Sequence, residues 1–135
     1  MVAQREKPYQ LLIADDDLSF REAIREVFEP YVGFLEAESG EQAIRIVRQR
    51  RVDVVLLDMH MQRLTGLETL RIVKRIEPIV PCILVTADAT PDLRQAAAEA
   101  EAFTVLEKPP RVQELVQTVA SALQEAYSDS EPIEL

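Results

Sequence analysis

Short apolar runs alternate along the chain with stretches in which apolar residues recur at helical spacing. Four runs are continuously hydrophobic, as is typical of strands buried on both faces of a sheet, and they occupy residues 11–14, 54–57, 83–85 and 104–106. A fifth run, over residues 32–37, is shorter and more polar, which favours a strand at a sheet edge. The pattern therefore predicts five strands, each followed by a helical stretch.

The stretches between these runs predict amphipathic helices. Two of them follow the i, i+3, i+4 rule: Phe20, Ala23, Ile24, Val27 and Phe28, and then Val112, Leu115, Val116 and Val119. Helix starts are predicted by capping-box spacing or by an N-cap followed by proline, at Ser19 with Glu22, Ser39 with Gln42, Thr65 with Glu68, and Thr90 with Pro91. Five β-α units in this order predict a doubly wound α/β domain, with a parallel sheet and helices on both faces.

The length of 135 residues and the composition fit one globular domain. Hydrophobic residues make up 47% and charged residues 29%, so the chain can bury a substantial core. We expect the domain to span residues 9–127. Residues 1–8 are interpreted as an N-terminal extension and residues 128–135 as an acidic tail or the stub of a linker.

The net charge and the residue types present restrict the partners and the metal sites that the chain can have. The net charge of −9 and the lack of a basic run disfavour direct nucleic-acid binding. A single cysteine, Cys82, and a single histidine, His60, exclude an internal disulfide and a multi-cysteine zinc site but leave oxygen-ligated hard cations possible. We interpret Cys82 as a buried, unreactive thiol. No apolar stretch is long enough to span a membrane, so a cytoplasmic location is expected.

Polar residues that could bind a ligand or take part in a reaction lie just after the apolar runs. Asp15, Asp16 and Asp17 follow the run at 11–14, Asp58 follows the run at 54–57, and Thr86 follows the run at 83–85; Lys108 comes two residues after the run at 104–106. Ligands of open parallel sheets bind beyond the carboxyl ends of the strands. Each aspartate alone could be a helix cap or a turn residue, but that reading does not explain the set. Two carboxylates about 4 Å apart repel by about 4 kcal/mol at an effective dielectric constant of 20, so the cluster predicts a cation site suited to Mg²⁺, with Lys108 as a monovalent partner.

Four segments together resemble the response-regulator receiver domain, the CheY-like phosphoacceptor module of two-component signalling. They are the Leu-Leu-Ile-Ala-Asp-Asp-Asp run at 11–17, the Val-Val-Leu-Leu-Asp-Met-His-Met run at 54–61 with Gly66 after it, Leu-Val-Thr-Ala at 84–87 and Leu-Glu-Lys-Pro at 106–109. The resemblance extends over about residues 11–123. It implies a flavodoxin-like (βα)5 fold with strand order 2-1-3-4-5.

The resemblance also implies a metal site and a nucleophile. Asp58 is then the phosphoacceptor, and Asp16 and Asp58 bind Mg²⁺ directly. Asp15 contributes mainly through water, and His60 contributes its backbone carbonyl, while its imidazole is expected to be a solvated loop group.

The other implied roles concern the phosphoryl group and the partners. Lys108 and the Thr86 hydroxyl each hold a phosphoryl oxygen, and Pro109 occupies the family's cis-proline position. The donor is implied to be a histidine kinase or a phosphotransfer protein. The output is a protein, a domain or a second copy docked on the fourth helix, fifth strand and fifth helix. The domain is then a signalling switch and not an enzyme, although it assists its own phosphorylation and slow dephosphorylation.

The sequence departs from the family at one position of the switch. Val105 stands where receivers commonly carry Tyr or Phe, three residues before the lysine. Phe103 is predicted by strand periodicity to share the face of Val105, although it cannot be assumed to replace the aromatic residue. Coupling from Thr86 to the output surface is therefore expected to be weaker or to use another element.

Three other functions fit the sequence less well. An aspartate-nucleophile phosphatase would need a general-acid Asp two residues after Asp58, where this chain has His60, and it would need room for a cap domain. A receiver that binds partners without phosphorylation is made plausible only by Val105. A flavodoxin-type FMN site is disfavoured, because Asp15, Asp16 and Asp17 would repel its phosphate.

Overall fold

The computed structural model describes residues 9–127 as five strands alternating with five helices, which confirms the predicted α/β architecture. The strands are β1 Gln10–Ala14, β2 Gly33–Ala37, β3 Val54–Asp58, β4 Cys82–Thr86 and β5 Thr104–Glu107. The helices are α1 Leu18–Phe28, α2 Gly40–Gln49, α3 Gly66–Ile76, α4 Pro91–Glu99 and α5 Val112–Ala126. The predicted extension at 1–8 and tail at 128–135 lie outside the described residues. Within 9–127, no helix is both long enough and apolar enough to cross a membrane.

The sheet is parallel throughout and has the order β2-β1-β3-β4-β5, as the resemblance implied. The prediction of an edge strand near residues 32–37 is confirmed by β2, which begins at Gly33. Asp58 lies opposite Val85 on β4, and Thr86 lies opposite Glu107 on β5. The carboxyl ends of β1, β3, β4 and β5 therefore meet at one edge of the sheet.

Alternation along each strand divides the core into two layers. On β1, Leu11 and Ile13 pack with α1 and α5, whereas Leu12 and Ala14 pack with the layer of α2 and α3. All four side chains are fully buried. A slip of one residue would exchange the two faces and put side chains of the wrong volume into both core layers, which costs packing energy. Hydrophobic packing thereby fixes the register that sets the polar residues at the strand ends.

Three of the four predicted helix starts are observed. Thr65 and Glu68 form a complete capping box, and the side chains of Ser39 and Thr90 cap α2 and α4. The capping box predicted at Ser19 is wrong, because α1 begins at Leu18 and its N-cap is Asp17. The Asp17 carboxylate accepts from the backbone N–H of Ser19 at 2.9 Å. A carboxylate caps a helix as well as a hydroxyl does and also interacts favourably with the helix dipole.

Cys82 has the buried environment expected of an unreactive thiol. It opens β4 and is fully buried. Burial raises the pKa of its thiol to about 12. The nucleophilic thiolate is therefore scarce at neutral pH.

Candidate functional site

Three carboxylates converge where β1 and β3 end side by side. Asp15 and Asp16 follow β1 directly, and Asp58 is the last residue of β3. One carboxylate oxygen from each lies within 4.8 Å of the other two. Asp15 and Asp58 are buried, whereas Asp16 is exposed. The sheet therefore holds acidic groups from distant parts of the chain in one cleft, with one side open to solvent.

Lys108 inserts its ammonium between the two buried carboxylates. Its Nζ lies 2.7 Å from Asp15 Oδ2 and 3.1 Å from Asp58 Oδ1. The Lys108 backbone N–H donates to the Thr86 carbonyl at 2.8 Å, which ties the residue to the end of β4. The Lys108–Pro109 peptide bond is cis. The structure thus places Lys108 at the acidic cluster.

The electrostatics of the cleft leave it short of positive charge. Burial raises the pKa of Asp58, the neighbouring Asp15 raises it further and so does Asp16, while Lys108 opposes the rise without cancelling it. Burial lowers the pKa of Lys108, but its hydrogen bonds and charge interactions with Asp15 and Asp58 outweigh burial and raise it overall. One ammonium therefore only partly compensates three carboxylates.

The donor set fits a small divalent cation. Both oxygens of Asp15 already have partners: Oδ1 accepts from the Asp17 N–H at 2.8 Å, and Oδ2 accepts from Lys108. Asp16 and Asp58 are better placed to offer an oxygen directly to a metal. Carboxylate oxygens completed by water are the ligands that Mg²⁺ prefers, so these residues can hold it.

Thr86 and His60 lie on the loops that flank the cleft. Thr86 is fully buried at the end of β4, and its hydroxyl oxygen accepts from the Asp88 N–H at 3.1 Å. The His60 imidazole is exposed, as expected of a solvated loop group, with Nε2 3.6 Å from Asp88 Oδ2. Asp88 thus connects the loop after β3 to the loop after β4. A ligand role for the His60 carbonyl stays a prediction.

Gly66 allows α3 to begin directly against the Asp58 segment. A Cβ atom at this position would lie 2.3 Å from the Asp58 carbonyl oxygen, closer than any side chain can approach. The Gly66 N–H donates to the Met59 carbonyl at 2.9 Å. The glycine of the 54–66 motif therefore allows close packing behind Asp58.

Sequence reasoning missed Arg21, a buried cation behind the acidic loop. Its Nη1 donates to the Asp15 carbonyl at 2.7 Å, and its Nε lies 3.0 Å from Glu36 Oε1. Arg21 is four residues after the N-cap Asp17 and interrupts the apolar stripe of α1, a signal that could have directed attention to it. It fixes the backbone that carries Asp15 and Asp16.

The structure corrects the prediction for Phe103. Val105 packs in the layer of α2 and α3, but Phe103 packs in the opposite layer, with α1 and α5. Phe103 precedes β5, which begins at Thr104, so strand alternation does not extend to it. On the Val105 side, Arg94 of α4 donates to the Val105 carbonyl at 3.2 Å. A polar contact, and not an aromatic ring, joins α4 to β5 here.

A doubly wound parallel sheet with an acidic cluster and a lysine at its carboxyl edge defines a flavodoxin-like class of protein whose ligand site lies at the strand ends. Within that class, residues 11–120 match the family model described as the response regulator receiver domain, and the chain belongs to that family. Receivers are phosphoacceptor modules of two-component signal transduction.

Individual relatives agree with this assignment. Sporulation initiation phosphotransferase F of Bacillus subtilis (strain 168) is 36% identical over 116 residues, which cover 84% of this chain and 93% of that protein. The transcriptional regulatory protein GlrR of Escherichia coli (strain K12) is 30% identical over 122 residues, 89% of this chain but only 27% of that protein. The chain thus spans about a quarter of this longer relative. A solved receiver domain from Clostridium thermocellum superimposes with a TM-score of 0.84 at 28% identity, covering 90% of this chain and 99% of that one.

Proposed function

We propose that this receiver is switched by Mg²⁺-dependent transfer of a phosphoryl group from a histidine kinase or a phosphotransfer protein to Asp58. The observation that carries the proposal is the Lys108 ammonium held between Asp15 and Asp58, beside a third carboxylate from Asp16. The site offers several carboxylate oxygens that could bind a metal. It is open to solvent on one side, and the nucleophile is buried on the other.

The transfer requires little covalent chemistry from the protein. A carboxylate oxygen of Asp58 attacks phosphorus as the bond from phosphorus to the donor nitrogen breaks, and the released imidazole takes a proton. The product is an acyl phosphate on Asp58. Asp16 and Asp58 would hold Mg²⁺, which when bound supplies positive charge to the phosphoryl oxygens. Asp15 keeps Lys108 oriented towards the same group.

The negative charge of the phosphoryl group drives the conformational change. A phosphoryl group adds about −1.5 to −2 charges next to Lys108 and close to the end of β4. Lys108 then pairs with a phosphoryl oxygen, and the Thr86 hydroxyl turns to donate to another. Because the Thr86 hydroxyl otherwise accepts from Asp88, that turn pulls on the loop before α4. The surface of α4, β5 and α5 changes as a result, and an output protein, an output domain or a second copy would recognise it.

Incubation with Mg²⁺ and a small phosphodonor such as acetyl phosphate tests this function by intact-mass measurement. We expect one phosphate adduct per chain, lost when a chelator removes Mg²⁺. Continuous hydrolysis of phosphomonoesters would instead favour a phosphatase. Absence of both the adduct and any Mg²⁺ affinity would contradict the proposal and favour a binding module that acts without phosphorylation.

Lys108→Ala is expected to separate phosphorylation from the response to it. Labelling should slow by about tenfold, the effect of losing one hydrogen bond to a charged group, but should remain measurable. The change in amide exchange that phosphorylation causes in the Thr86 loop and α4 should disappear. Arg111→Ala removes an exposed cation at the start of α5 and is the control that should behave as wild type. Equal exchange changes in phosphorylated wild type and Lys108→Ala would remove Lys108 from the switch.

A further inference from the structure

The ring of Phe20 lies against the ammonium of Lys108. Lys108 Nζ is 4.1 Å from the centroid of the ring. Phe20 is partly buried in the first turn of α1 and packs against the core layer of α1 and α5. Its place in the apolar stripe predicted only a core contact, but the structure puts it between that core and the acidic cleft.

We propose that Phe20 is a positioning residue for Lys108, whose ammonium the aromatic ring holds at the phosphoacceptor. The proposal rests on the proposed phosphoryl transfer to Asp58. An ammonium has three N–H donors, of which two have carboxylate partners in Asp15 and Asp58. The aromatic face lies within the range of a cation–π contact. The ring therefore adds a third contact to those with the two carboxylates, while the Lys108 side chain stays 22% exposed.

The position of the ring depends on the loop that carries the carboxylates. Asp17 caps α1 and accepts from the Phe20 N–H at 3.4 Å. Asp15 accepts from the Asp17 N–H, and the next residue after Phe20, Arg21, donates to the Asp15 carbonyl. The helix start therefore holds the ring and the Asp15 carboxylate as one unit in contact with the Lys108 ammonium.

An aromatic ring can also stay in contact with Lys108 while the ammonium exchanges one hydrogen-bond partner for another. The attraction of a cation to an aromatic face depends less on direction than a hydrogen bond does. Lys108 can therefore move from the Asp58 carboxylate to a phosphoryl oxygen while keeping contact with Phe20. The ring should then support the transfer step itself and not the binding of Mg²⁺, since its contact in the cleft is with Lys108, which would not bind the metal.

The test compares Phe20→Leu with Phe20→Tyr and Phe20→Trp. Leu keeps apolar bulk but has no π-electron face, so we expect the rate constant of Asp58 labelling at saturating donor to fall about fivefold, the size of one partly desolvated cation–π contact. The donor concentration for half-maximal rate and the Mg²⁺ dissociation constant should stay within about twofold. Tyr and Trp should restore most of the rate.

Phe34→Leu is the matched control. Phe34 also lies under a cation, Arg25, at 5.2 Å, but on the edge strand β2, away from the acidic cleft. Its loss should lower stability in the same way as Phe20→Leu while leaving the labelling rate constant unchanged. Thermal unfolding of each variant separates folding effects from catalytic ones.

A second readout needs no variant and no phosphorylation. In the wild-type protein, the ε-methylene protons of Lys108 should show the ring-current shift of a lysine held over an aromatic face. A random-coil shift would overturn the proposal, as would wild-type labelling by Phe20→Leu or failure of both Tyr and Trp to restore it. If instead wild type takes up no phosphate while the ring-current shift is present, the phosphotransfer function fails and the contact stands.

Discussion

Asp58→Asn is expected to take up no phosphate from a small phosphodonor under conditions in which the wild type is labelled once per chain. An amide oxygen is a far weaker nucleophile than a carboxylate oxygen and cannot form an acyl phosphate. The substitution is nearly isosteric, and Lys108 keeps its contact with Asp15. The loss should therefore be complete at this position, and intact-mass measurement over a range of donor concentrations checks it.

Unfolding is not expected to explain that loss. Because burial and the neighbouring carboxylates raise the pKa of Asp58 in the folded protein, ionisation of Asp58 opposes folding at pH values above the raised pKa. Asn cannot ionise, so Asp58→Asn should be at least as stable as wild type at neutral pH without metal. Asp17→Asn is the matched control, since Asn also caps helices well, and it should label normally. An Asp58→Asn protein that acquires the adduct at the wild-type rate would exclude Asp58 as the acceptor.

Asp16→Asn is expected to shift Mg²⁺-dependent labelling to much higher Mg²⁺ concentrations by weakening the metal site. A carboxylate about 4 Å from a divalent cation contributes about 2 kcal/mol even at the dielectric constant of water. The Mg²⁺ dissociation constant should consequently rise about 30-fold or more. A Mg²⁺ titration followed by calorimetry measures this directly. Thermal unfolding provides a second measurement, since a ligand that binds only the folded state raises its stability.

Asp88→Asn provides the control for Asp16→Asn. Asp88 is also an exposed carboxylate on a loop at the cleft, but it pairs with His60 and is outside the cluster of Asp15, Asp16 and Asp58. Its removal should change Mg²⁺ affinity by no more than about twofold, as for an exposed charge screened by solvent. Equal Mg²⁺ affinity in wild type and Asp16→Asn would take Asp16 out of the metal site.

Much of the architecture could be predicted because continuous apolar runs and helical spacing are direct consequences of burial. The 54–57 run is buried on both faces, and this alone indicates a central strand with helices on each side. Asp58 comes directly after such a run, so the same pattern predicts its place at the carboxyl end of a central strand. The order of the strands does not, because hydrophobic periodicity determines which face a residue occupies and not which strand is its neighbour. That order came from the family resemblance.

Contacts between distant side chains account for what the sequence did not predict. Phe20 and Arg21 have the residue types of an ordinary amphipathic helix, and only the packing of α1 against the sheet brings them to Lys108 and to the Asp15 carbonyl. Strand alternation predicts the wrong layer for Phe103, because β5 begins one residue after it, at Thr104. Asp17 and Ser19 both have side chains that can cap a helix, and both lie at the start of α1. The sequence pattern does not distinguish them, and the structure shows that Asp17 is the cap.

The position of the phosphoryl group is the most direct test of the acidic cluster as a phosphoacceptor site. Wild-type protein labelled in the presence of Mg²⁺ is reduced with borohydride, which converts an acyl phosphate of aspartate to homoserine, and is then mapped by peptide mass spectrometry. We predict homoserine at position 58 and unmodified aspartate at positions 15, 16 and 17. A phosphate that survives borohydride on serine, threonine or histidine, or homoserine at another aspartate, would contradict this account.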